Sequence, residues 1–138
     1  MELQIKIIGG LLVLLALLHV FFPRYFNWKK EFDSLALINR QMIYVHMFFI
    51  ALGVFLLGLL CLTSSDLLLT TTLGRRISLG IGIFWAARLY VQFFVYSAEL
   101  WKGKIFETTI HIVLTLFWAY ISIIFTLGFL KGQALFTK

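Results

Sequence analysis

Residues 42–62 read MIYVHMFFIALGVFLLGLLCL, 21 residues with no Lys, Arg, Asp or Glu and a single histidine, His46. A helix needs about 20 residues to cross the ~30 Å hydrocarbon core of a bilayer. A continuous apolar run of that length is helical because lipid offers the backbone N–H and C=O groups no outside partner. Three further long apolar runs lie around it, at 5–22, 77–97 and 108–130, the first with Lys6 at its start and the second with Arg88 inside it. The expected fold is therefore all-α, an integral membrane four-helix bundle forming one transmembrane domain over 1–138. An even number of spans puts both chain ends on the same side.

Composition agrees. The chain has 138 residues, of which 62% are hydrophobic and 13% charged, against roughly 45–50% and 25% in soluble domains. Its mean hydropathy is +0.98. A water-soluble fold of this size would need far more polar surface, so an ordinary soluble domain, a disordered chain and a disulfide scaffold are all excluded. Twelve Lys and Arg against six Asp and Glu give a net charge of +6. Apart from Arg88, these cations are scattered at the ends of the apolar runs, as membrane-flanking residues are, and they do not form the basic patch that nucleic acid requires. The expected partner is the lipid bilayer, with a membrane-complex partner or a second copy of the chain as further candidates. The single cysteine, Cys61, lies within an apolar run and fits no metal or disulfide spacing.

The connections differ in character. After the first run, which lacks a small-x-small cleavage site and is expected to remain as a span, Pro23 should stop the helix. The stretch Pro23 to Gln41 carries Tyr25, Phe26, Trp28, Lys29 and Lys30, a mixture suited to the headgroup zone. Phe32, Leu35 and Ile38 or Asn39 recur at helical spacing, which suggests a short interfacial helix there. Thr63 to Arg76 reads as a Ser/Thr-rich loop, and Ala98 to Glu107 as a compact turn. Orientation is open: Lys6, Arg75, Arg76, Lys131 and Lys138 flank one side, and Arg24, Lys29, Lys30, Arg40, Lys102 and Lys104 the other. Five against six is no bias of the kind that sets topology.

Depth is the informative pattern. With those span limits and 1.5 Å per residue, His19, His46 and His111 fall roughly 4–7 Å inside the boundary farther from the chain ends, and Arg88 roughly 13 Å inside it. Arg88, Gln92, Tyr96 and Glu99 share one face of the third span at 100° per residue; Glu107, His111, Thr115, Trp118 and Ser122 share one face of the fourth. Polar stripes on membrane helices turn inward, since facing them to lipid costs kilocalories per group. The expectation is a polar pocket lined by His19, His46, Arg88, Gln92, Tyr96, Glu107 and His111. Within it, Glu107 could pair with His111 at i,i+4, and Glu99 or Glu107 could neutralise Arg88. Ser78, Gly82 and Ala86 form a small-xxx-small ridge, expected on the side of the third span away from Arg88.

Several chemistries can be weighed on these residues. Haem between two imidazoles, His19 with His46 or His111, is one option. A metal held by the three histidines and Glu107 is another, although no H-x-x-x-H or H-E-x-x-H pair occurs. Trp85 and Trp118 could stack on a planar ligand. No catalytic nucleophile is expected: Ser34, Ser64, Ser65 and Ser97 lack the G-x-S-x-G setting, and no Walker loop or G-x-G-x-x-G is present. The favoured function is binding of a small polar or redox-active ligand (haem, a quinone-like molecule or a lipid headgroup). The alternatives are an accessory subunit whose polar residues lock helix packing, and a proton-coupled carrier that uses Glu107 and His111. Size and layout resemble those of small four-span families such as the DoxX-like proteins, a likeness of architecture that implies no activity.

Overall fold

A computed structural model describes residues 1–134, and everything described is helix, turn or short connection. Four helices are long and apolar enough to cross a membrane: α1 (Glu2–His19), α4 (Leu37–Thr63), α6 (Thr72–Phe94) and α7 (Ile105–Ala134). Their outward faces carry large apolar side chains, among them Phe48, Phe49, Phe84 and Leu116, which only a lipid solvent tolerates in such number. Three short helices punctuate the chain: α2 (Phe22–Tyr25), α3 (Trp28–Glu31) and α5 (Ser65–Thr70).

Each long helix starts three to five residues before its hydropathy limit, whereas α1 and α6 end three residues short of theirs, at His19 and Phe94. Hydropathy marks the oily part of a helix, whereas the backbone stays helical into the polar flanks until something breaks it. So α4 begins five residues before Met42, and α7 three before Thr108. Pro23 does not stop α1, which already ends at His19; it sits in the first turn of α2, where its missing N–H costs nothing. The interfacial helix expected around Phe32–Asn39 is replaced by the single turns α2 and α3, separated by Asn27 in a left-handed conformation at φ 50°. Trp28, Phe32 and Tyr44 gather there with ring centroids 5.1–6.2 Å apart, and Arg40 pairs with Asp33 at 3.5 Å.

Thr63–Arg76 is not a loop. Its first part is α5, and Thr71 caps α6 by accepting from the Gly74 N–H at 2.9 Å, the usual use of a Thr at this position. Gly74 lies against the Leu67 backbone so closely that a Cβ would collide with the Leu67 carbonyl. Ser78, fully buried, donates to the Leu68 carbonyl at 3.1 Å.

The residues form two compact units, 5–65 and 1–4 with 66 onward. In the first, α1 and α4 meet at glycines: a Cβ on Gly9 would lie 2.8 Å from the Gly58 carbonyl oxygen, and one on Gly58 would lie 2.8 Å from Val13. Hydrophobic burial does little to join helices in lipid, so close backbone approach through small residues is what holds such a pair. In the second unit, α6 and α7 pack along their length. Gly82 faces Thr126 and Ser122 of α7, and the Ser122 hydroxyl donates to the Gly82 carbonyl at 3.2 Å. Ser78, Gly82, Trp85 and Gln92 thus lie on one buried face, while Ala86 is exposed. The small-residue ridge and the polar stripe share that face instead of opposing each other, because a run of 78, 82, 85 and 92 follows the helical repeat and 86 departs from it.

Candidate functional site

The second unit holds a continuous polar chain. Arg88 Nη1 donates to Gln92 Oε1 at 3.0 Å, and Gln92 Nε2 meets His111 Nδ1 at 2.6 Å. A guanidinium has only donors, so the Gln92 carbonyl must face Arg88 and its amide N–H must face His111. His111 Nδ1 is then an acceptor, and the neutral ring carries its proton on Nε2. One glutamine, 5% exposed, fixes the tautomer of a histidine on the neighbouring helix.

Aromatic rings enclose this chain. Trp101, from the turn between α6 and α7, stacks on the His111 ring with centroids 3.8 Å apart and planes at 12°. The Thr108 hydroxyl holds that turn by donating to the Trp101 carbonyl at 2.7 Å, and Gly103, at φ 78°, supplies the reversal, a conformation that glycine adopts without Cβ strain. The Arg88 guanidinium lies 5.3 Å from the Trp118 ring and 5.5 Å from the Tyr96 ring, within cation–π range. Trp118 in turn stacks on Trp85, with centroids 4.6 Å apart and planes at 11°. Each indole is 3% exposed, so the two fill each other's faces and neither is left to stack on a planar ligand.

Among the described residues no carboxylate lies within ion-pair distance of Arg88. The pairing expected with Glu99 or Glu107 is not formed, because Gln92, one turn along α6, takes the guanidinium instead. Nor does Glu107 pair with His111: Gln92 occupies Nδ1, and Trp101 covers the ring. Arg88 lies six residues before the end of α6, and His111 six after the start of α7, roughly 9 Å from each helix end. Arg88 is thus closer to its helix end than hydropathy implied, and His111 farther from its own.

Of the expected site residues, Arg88, Gln92, Tyr96 and His111 come together. Glu107 lies on α7 without a hydrogen bond or ion pair among the described residues. His19 and His46 belong to the first unit and each bonds its own helix: the Nδ1 donates to the Leu15 and Met42 carbonyls respectively, both at 2.7 Å. The glycine contacts set an antiparallel register in which His19 is level with about residues 51–52 of α4, so His46 lies roughly 8 Å farther along. Those two imidazoles are not at one level. Among the described residues no group of three or more His, Cys, Asp and Glu is placed to hold a metal. Trp101 is the participant that the sequence did not single out; its only signal was a Trp in a short, glycine-containing turn just before the helix that carries His111. At the opposite end of α6 the buried Arg75 is partnered, so that half of the helix also holds an ionisable residue. Lys138, counted among the flanking cations, lies outside the described residues.

Comparison with family models, with curated proteins and with solved structures found no match to this chain. The likeness to DoxX-like proteins therefore carries no argument beyond layout.

Proposed function

We propose that this is a small multi-pass membrane protein that binds a ligand bearing an acceptor group, a carboxylate, phosphate or quinone-like carbonyl, at Arg88. The observation that carries the reading is the unneutralised guanidinium: Arg88 sits in a membrane-length helix, bonded to Gln92 and flanked by two aromatic rings, with no carboxylate beside it among the described residues. A cation in such a place needs an anion or a strong dipole, and a guanidinium is suited to oxygens of that kind. The hydrogen-bond chain adds a second donor, since it leaves the His111 proton on Nε2. Arg88 and His111 are both donors, so the site selects acceptors. With four spans, the two chain ends share one side of the membrane.

The second reading, an accessory subunit, is favoured by the Gln92–His111 bond, which ties α6 to α7. The carrier reading loses its Glu107–His111 relay. The test is the inventory of small molecules, by mass spectrometry and absorption spectroscopy, in gently extracted full-length protein and in Arg88→Leu and His111→Ala. The reading expects an acidic or carbonyl-bearing molecule retained near one per chain by the wild type and lost from both variants at unchanged helicity; a haem would show as a Soret band. Identical inventories in all three, with a partner protein retained, would establish the accessory reading instead.

A further inference from the structure

Away from that cluster, the α4 surface carries a groove of about 450 Å³ lined by apolar residues together with Asn39, Met42, His46 and Met47. Apart from Met1, Met42 and Met47 are the only methionines in the chain, and both line the groove that holds His46. The His46 ring is already oriented: its Nδ1 donates to the Met42 carbonyl at 2.7 Å, so the lone pair of the neutral ring is on Nε2, where no described group bonds it. A backbone carbonyl on the remote nitrogen is what usually fixes a ligating imidazole and raises its basicity.

From this placement we propose that His46 Nε2 and the Met42 and Met47 sulfurs form a site for a soft monovalent metal ion, Cu(I). Thioethers bind soft ions and discriminate against Mg²⁺, Ca²⁺ and Mn²⁺, which want oxygen. No Cys, Asp or Glu lines the groove, so a divalent ion would bring two charges into apolar surroundings with no anion to offset them. One positive charge and three neutral donors fit these surroundings. At i,i+4, Met42 and His46 are neighbours on the helix surface. Met47 lies about 100° farther round the helix from His46 but lines the same groove, and its unbranched, flexible side chain is the one that must reach across to complete the site.

The test is anaerobic titration of detergent-solubilised full-length protein with Cu(I) held by bicinchoninate, followed by X-ray absorption of the loaded protein. The wild type should withdraw one Cu(I) per chain and show sulfur as well as nitrogen around copper. His46→Ala should withdraw none, and the volume-conserving pair Met42→Leu/Met47→Leu should bind at least about tenfold more weakly, since losing ligands costs no less than losing the outer-shell partner that orients one. His19→Ala and Arg88→Leu should bind as the wild type does, which separates this site from the one at Arg88. If the leucine pair binds Cu(I) like the wild type, or no sulfur surrounds the metal, the methionines only fill space and the proposal is overturned. Equal withdrawal by wild type and His46→Ala overturns it too.

Discussion

Replacing Gln92 tests the polarity of the chain that organises the second unit. In Gln92→Glu a carboxylate can still accept from Arg88 across 3.0 Å, but it has no N–H for His111 across 2.6 Å. His111 must then donate from Nδ1, either by changing tautomer or by taking a second proton. In Gln92→Leu both bonds disappear. The bond from the charged Arg88 is worth about 1.5–3 kcal/mol, and an interhelical bond in a membrane about 0.6–1.7 kcal/mol. The leucine variant should therefore lose about 2–5 kcal/mol, while the glutamate variant, keeping an acceptor for Arg88 and gaining one for His111, should lose less than about 1 kcal/mol. The assay is ¹⁵N-histidine NMR of the full-length protein in detergent, with unfolding measured alongside. The wild-type His111 should show the proton on Nε2, and Gln92→Glu should show Nδ1 protonated. A wild-type ring already protonated on Nδ1, or one unchanged by Gln92→Glu, would mean that Gln92 does not donate to His111.

Other outcomes follow from the packing. Gly58→Ala and Gly9→Ala should each cost about 1–3 kcal/mol in thermal unfolding, the range for overpacking, because each methyl meets backbone on the facing helix; Gly10→Ala and Gly53→Ala, with nothing within 4 Å, should stay near wild type. Ser78→Ala leaves the buried Leu68 carbonyl without its donor and should cost about 1 kcal/mol by the same measurement. Trp101→Ala removes the stack on His111; a loss of about 0.5–1.5 kcal/mol and a new His111 ring shift by NMR are expected, while an unmoved shift would mean that the turn does not cover the ring.

Much of the fold was legible because lipid imposes a simple rule: a 20-residue apolar run is a helix. The ends of those runs were less so. Hydropathy says where the oil is, whereas Thr71 and Asn27 mark where the backbone turns, and the effect of Thr71 depends on the Gly74 N–H it accepts from. The site was legible in part for a related reason. Arg88 and Gln92 lie one turn apart on one helix, so periodicity alone grouped them. That His111 would meet Gln92 and not Glu107 depended on how α6 packs on α7, which no single-helix pattern contains. Electrostatic intuition also favoured carboxylates as partners for Arg88, and it overlooked that an amide one turn away can accept from a guanidinium and still donate onward. Trp101 is not legible as a site residue because a tryptophan in a turn near the membrane surface reads first as an interfacial anchor.

The claim on which the function rests is that the counter-charge of Arg88 comes from outside the protein. The measurement that tests it most directly compares Glu99→Gln/Glu107→Gln with Arg88→Met, following melting temperature and retained small molecules in gently extracted full-length protein. The double variant should keep both the wild-type melting temperature and the wild-type molecule, whereas Arg88→Met should lose the molecule. If removing the two carboxylates destabilises the protein as much as removing the arginine, Arg88 is neutralised internally and the binding site does not exist.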